Sequence, residues 1–74
     1  MNQPGMGAHP PFVSIIIPCR NEGKFIGSCV GSILLSDYPA DKMEILVVDG
    51  MSTDRTPSAV AELSSRDPRV RLVP

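Results

Sequence analysis

The chain has no tryptophan, one tyrosine and two phenylalanines, so little of any core can be aromatic. Charge of one sign is missing as well. Seven Lys and Arg face eight Asp and Glu for a net charge of −1, which removes a nucleic-acid footprint or an acidic tail from consideration. No apolar run approaches the length of a membrane span. Met1 to Pro11 holds no basic residue and no apolar stretch, so it does not read as a secretory signal. On this reading the segment is soluble and cytoplasmic, at the inner face of the cell membrane if a longer protein is anchored there. The two cysteines, Cys19 and Cys29, form no Cys-x-x-Cys pair and have no His near them in sequence. They read as small buried or half-buried residues of a reducing compartment, with Cys29 on the apolar face of a helix. The single histidine, His9, has nothing to orient it.

Proline and glycine are present in quantity, eight and six, several of them within the first dozen residues. Pro10-Pro11 prevents regular helix, and residues 1–11 are expected to be a disordered leader before a folded unit over 12–74. Seventy-four residues make at most one small domain, marginal without a partner.

Two short apolar runs dominate that unit. Phe12 to Ile17 is β-branched and does not alternate, which predicts a strand covered on both faces, ended by Pro18. Met43 to Val48 predicts a second buried strand. Between them Phe25, Ile26, Cys29, Val30, Ile33 and Leu34 recur at helical spacing. They predict a helix from about Gly23 to Ser36 with Asn21 as N-cap. Its glycines, Gly27 and Gly31, weaken it by about 1 kcal/mol each relative to Ala. Thr56-Pro57 opens a second helix with Thr56 as cap, Ala59, Val60 and Leu63 turn inward, and Asp67-Pro68 closes it. Val70 to Val73 completes a β-α-β-α-β order, and Arg66, Arg69 and Arg71 read as a solvated basic rim. The expected strand order is 3-2-1, half of a doubly wound parallel sheet. The first strand then has an open edge, and one so apolar is a poor edge, so more sheet is expected beside it.

In open α/β sheets ligands bind outside the carboxyl ends of the strands. Those ends carry Pro18-Cys19-Arg20-Asn21-Glu22 and Asp49-Gly50-Met51-Ser52-Thr53-Asp54. Asp49 can accept hydrogen bonds from a ribose diol or a base N–H, although Asp before Gly50 also suits a tight turn. Arg20 can stack on a heterocycle. Glu22 can accept from a hydroxyl or serve the helix N-terminus electrostatically. Asp54, Ser52 and Thr53 read as turn or helix-start residues. A dinucleotide fold would need Gly-x-Gly-x-x-Gly after the first strand, and a P-loop NTPase its own glycine loop, and neither occurs.

Val13-Ser14-Ile15-Ile16-Ile17-Pro18-Cys19-Arg20-Asn21-Glu22 and Ile45-Leu46-Val47-Val48-Asp49-Gly50-Met51-Ser52-Thr53-Asp54-Arg55-Thr56, in this order and at this separation, resemble the start of a family 2 glycosyltransferase of the GT-A fold. The resemblance runs from about Phe12 to Val73. Its Asp-Gly variant is similar to bacterial exopolysaccharide enzymes of the succinoglycan type. The resemblance implies a nucleotide-diphosphate-sugar donor, UDP-linked, and a glycan or lipid-linked acceptor. It implies that Asp49 binds the base, that Pro18, Cys19 and Arg20 line it, and that Glu22 lies near the ribose. Gly50 replaces the second Asp of the commoner motif. The family's Asp-x-Asp, which holds Mg²⁺ or Mn²⁺, and its acidic general base are expected beyond Pro74, so the 74 residues are expected to be inactive alone, with no catalytic or metal residue of their own. The alternative is a non-catalytic nucleotide-binding or protein-interaction module that uses the open edge of the first strand.

Overall fold

A computed structural model describes residues 10–74, so all but the last two residues of the expected leader lie outside it. The elements follow the expected order. Strand β1 is Val13–Cys19, helix α1 Ile26–Leu34, strand β2 Met43–Asp49, helix α2 Thr56–Arg66 and strand β3 Val70–Val73, with a single 3₁₀ turn at Ala40–Lys42 before β2. The three strands form one parallel sheet in the order β1-β2-β3. That is the expected 3-2-1 half of a Rossmann-like GT-A sheet.

Parallel pairing places β2 at the centre, in register from Val13 opposite Met43 to Cys19 opposite Asp49. Alternate β2 residues Met43, Ile45 and Val47 are buried, and Ile45 and Val47 join Ile26, Val30, Val60 and Val70 in one core. Ile15, Ile17, Ala59 and Leu63 pack against it. Both helices thus cover the same face of the sheet.

The other face departs from expectation. β1 was expected to be covered on both sides, yet Ile16 is 62 % exposed. Leu46 and Val48 on the same face are half-buried. Among the described residues no element lies over them, because both crossovers return on one side. A polar row crosses this bare face instead, with Ser14 donating to Glu44 and Arg71 3.6 Å from the same carboxylate.

Pro18 does not end β1, which continues through Cys19. Neighbouring residues of a strand aim their backbone groups at opposite edges. The Cys19 carbonyl accepts from Gly50 N–H at 2.7 Å, on the β2 side. Pro18 therefore turns its missing donor to the unpaired edge, where the ladder loses nothing.

Helix α1 is shorter than its periodicity predicts. Its N-cap position is Phe25, with no side-chain cap, and the Glu22 carbonyl accepts from Phe25 and Ile26 N–H at 2.9 Å each. Ile26 and Val30 are buried, whereas Phe25 is 64 % exposed and Cys29 is exposed, which corrects the expected six-residue apolar face and the placement of Cys29. Helix α2 begins as expected, with Thr56 and Pro57 in its first turn, where a missing N–H costs nothing. Thr56 is not its cap but its first residue, after Arg55.

At the far end of α2, Asp67 grips Arg69. Its oxygens accept from the Arg69 backbone N–H, Nε and Nη2 at 3.0, 3.0 and 2.8 Å. The hydrogen bonds from Arg69 lower the Asp67 carboxyl below its usual range. Arg69 is therefore not part of a free basic rim. Its carbonyl accepts from Ile45 N–H at 2.7 Å and starts the β2–β3 pairing.

A methyl group built on Gly27 or Gly31 would meet nothing within 4 Å, so neither glycine is there for close packing. The double variant Gly27→Ala/Gly31→Ala is expected to raise unfolding free energy by about 1–2 kcal/mol, read as an upward shift of the urea midpoint. An unchanged or lower midpoint would contradict the open space around both positions.

Candidate nucleotide-binding site

The loops that leave β1 and β2 lie side by side because their strands end in register. They are tied by reciprocal hydrogen bonds. Three successive backbone donors of the first loop go to side chains of the second. Asn21 N–H reaches Ser52 Oγ at 2.8 Å, Glu22 N–H reaches Thr56 Oγ1 at 2.9 Å, and Gly23 N–H reaches Asp54 Oδ2 at 3.0 Å. In return, Asn21 Oδ1 accepts from the N–H groups of Thr53 and Asp54 at 2.8 and 3.2 Å. Thr56 is fully buried, and its hydroxyl accepts from Glu22 while donating to Asp54 Oδ1.

Local backbone shape makes this possible. Asn21 has φ 53° and Met51 has φ 61°. Asn tolerates the left-handed region, whereas Met there is strained by an amount of order 1–3 kcal/mol. Gly23 fits because any side chain would press on Asp54 Oδ2 and Thr56 N, at 3.1 and 3.3 Å from its first carbon.

Asp49 lies directly opposite Cys19 at the carboxyl end of the sheet. Its Oδ2 accepts from Ser52 N–H at 3.1 Å and its Oδ1 from the Ser52 hydroxyl. A carboxylate has about four acceptor positions, so each oxygen keeps one for a ligand. Gly50, which stands where the commoner motif has a second Asp, lets the chain pass close to the Cys19 carbonyl.

Pro18, Cys19 and Glu22 share a hollow of about 260 Å³ on the outer flank of β1, with Ile17, Phe25, Ile26 and Cys29. The Cys19 thiol is pushed above its ordinary value by burial and then by the carboxylates of Asp49, Glu22 and Asp54. It is a neutral wall and a poor nucleophile. Asp49 and Arg20 are not among the residues lining this hollow, so the five expected residues gather at one sheet edge without forming one pocket. Arg20 is exposed beside Gly50. Glu22 is also exposed, four residues before α1, and its carbonyl rather than its carboxylate starts that helix. A second hollow of about 350 Å³ opens between the helix starts, lined by Gly23, Lys24, Asp54 and Arg55, away from Asp49.

Asn21 and Thr56, expected as helix caps, do not cap, and Ser52 and Thr53, expected as turn or helix-start residues, join the tie between the loops. Asn21 clamps the second loop and Ser52 grips Asp49. The signal was their pairing in order, Asn21 with Thr53 and Glu22 with Thr56, which helical capping rules do not see.

The described residues do not fit a divalent cation. No group of three or more His, Cys, Asp or Glu stands where it could hold one. Asp54 spends its oxygens on Gly23 and Thr56, which leaves Asp49 without a second carboxylate free to share an ion.

Comparison with known proteins identifies the family and agrees with the fold. Residues 14–74 match the family described as Glycosyl transferase family 2, and the chain belongs to it. A glucuronosyltransferase of Methanococcus voltae that acts on a dolichyl N-acetylglucosaminyl phosphate is 46 % identical over 55 residues, 74 % of this chain and 17 % of that protein. The beta-monoglucosyldiacylglycerol synthase of a Synechocystis strain is 36 % identical over 63 residues, 85 % of this chain and 13 % of the synthase. Among solved structures, the mannosyltransferase PcManGT of Pyrobaculum calidifontis, in complex with GDP-Man and Mn²⁺, is 43 % identical with a TM-score of 0.76. The match covers 85 % of this chain and 18 % of that one. The chain thus spans less than a fifth of the length of each of these relatives.

Hydrogen bonds from Thr56, ahead of those from Gly23, lower the Asp54 carboxyl below its ordinary 3.8. A lowered folded-state pKa stabilises above the ordinary value and is lost as pH falls through the folded one. Asp54→Asn is therefore expected to be less stable than the natural chain near neutral pH, with the gap closing as pH falls below 3.8. Urea unfolding between about pH 7 and about pH 2 checks this, and a gap independent of pH would contradict it.

Proposed function

We propose that this chain is the nucleotide-binding portion of a glycosyltransferase that moves a sugar from a nucleotide-diphosphate donor, UDP-linked, to a glycan or lipid-linked acceptor at the inner face of the cell membrane. Membership of the family supports the reaction class. The carrying observation is Asp49, at the strand-end edge where open α/β sheets bind ligands, with an acceptor position free on each oxygen. In this reading Asp49 accepts from the base, Pro18, Cys19 and Arg20 line it, and Glu22 lies near the ribose. The relatives' names support a lipid-linked or glycan acceptor, since one acts on a dolichyl-linked sugar and another makes a glycolipid. PcManGT is seen with GDP-Man, which makes guanine the nearest rival base. No helix among the described residues is long and apolar enough to cross a membrane.

Transfer itself needs charge neutralised on the departing diphosphate and a base for the acceptor hydroxyl. No Asp-x-Asp occurs in the 74 residues. The divalent ion, Mg²⁺ or Mn²⁺, and the general base belong in this proposal to the remainder of a complete enzyme.

The test is binding and turnover on the purified chain. UDP at millimolar concentration is expected to shift the amide resonances of Cys19, Arg20 and Asp49 in NMR spectra, Asp49→Ala is expected to weaken binding at least about tenfold, and no sugar transfer above a boiled control is expected. Equal binding by Asp49→Ala would contradict the assignment of the base site. Measurable transfer would contradict the inactivity of the chain alone.

A further inference from the structure

We propose that Ser52 is the positioning residue for Asp49, and that by setting the plane of the carboxylate it holds the remaining acceptor positions where they select bases that present an N–H. This rests on the base-binding reading of Asp49 given above. The polarity of the bonds dictates it. Asn21 N–H can only donate, so Ser52 Oγ accepts there, at 2.8 Å. The one hydroxyl proton of Ser52 is then left for Asp49 Oδ1. The Ser52 backbone N–H donates to the other oxygen, Oδ2, at 3.1 Å. Both oxygens of Asp49 thus face donors from one residue, and the plane of the carboxylate is set by that residue. The order of donation runs one way, from the first loop through Ser52 to Asp49.

The consequence is chemical. The acceptor positions left on Asp49 can take only a donor, as uracil offers at N3 and guanine at N1. A base edge with a bare ring nitrogen there, as in cytosine, meets lone pairs with lone pairs. Sites built around a hydrogen bond reject partners that lack it far more strongly than apolar pockets reject a missing methylene. Ser52 also links this selection to loop geometry, because Asn21, which supplies the donor that orients its hydroxyl, clamps the second loop through its own side chain.

The test uses the full chain and four ligands, UDP, GDP, N3-methyl-UDP and N1-methyl-GDP, titrated by NMR. The unsubstituted chain is expected to bind the better of UDP and GDP at least about tenfold more tightly than its N-methyl form. In Ser52→Ala that ratio is expected to fall to within about threefold, and in Ser52→Thr, which keeps the hydroxyl, to be retained. A merely structural role would weaken both ligands alike and leave the ratio unmoved, which overturns the proposal. If Ser52→Ala does not fold, Ser52→Cys, a near-isostere with a weaker donor, takes its place and must show an intermediate ratio; an unchanged ratio there overturns the proposal equally. Asp49→Asn separates the two levels. No nucleotide binding by the natural chain, or equal binding and equal ratio in Asp49→Asn, overturns the base-binding reading and this inference with it. A ratio lost in Asp49→Asn but kept in Ser52→Ala overturns the role of Ser52 alone.

Discussion

The buried hydroxyl of Thr56 joins two loops that the backbone alone would leave independent. It accepts from Glu22 in the first loop and donates to Asp54 in its own, and Asp54 in turn accepts from Gly23. Around it, Asn21 and Ser52 complete the exchange in both directions. Parallel strands give only the starting points of loops. Side-chain acceptors matched to successive backbone donors give those loops a shape, and each such bond costs about 1–3 kcal/mol to leave unmade where water cannot replace it. Placement of Asp49 depends on this tie, since Ser52 both belongs to it and holds the carboxylate.

This arrangement separates two uses of polar residues within one stretch of sequence. Asn21, Thr53, Asp54 and Thr56 are consumed by structure. Asp49 alone among the bonded carboxylates at this edge keeps an acceptor position on each oxygen while sitting in register with the end of β1. A site preorganised in this way would, in the proposed reading, orient a base without first spending binding energy on ordering its loops. The scaffold beneath is thin. One face of the sheet carries both helices, and the other leaves Ile16 exposed. Ties between loops therefore matter more here than in a domain with two covered faces.

Much of the fold was legible in the sequence. The apolar runs of β1 and β2, the helical spacing of Ile26 and Val30, and Thr56-Pro57 at a helix start each follow from local chemistry, and strand order followed from crossover rules. Coverage was not legible, because an unalternating run such as Ile15-Ile16-Ile17 does not tell which segment would supply a second layer. Pro18 was misjudged because its effect depends on which edge it faces, and that is a property of the pairing. The candidate site was legible as two strand ends and an acid. The reciprocal tie was not, because capping and turn rules are local, while Asn21 and Thr53 meet across thirty-two residues.

The central claim is that the two loops behave as one ordered unit. Amide hydrogen exchange, read residue by residue in NMR spectra of the natural chain and of Thr56→Val, tests it most directly. Valine keeps the shape of threonine and removes the hydroxyl. The account predicts that Asn21, Glu22 and Gly23 amides are protected in the natural chain, and that all three lose protection together in Thr56→Val while Ile45 and Val47 in β2 stay protected. Rapid exchange of these three amides in the natural chain, or loss at Glu22 alone in the variant, would contradict it.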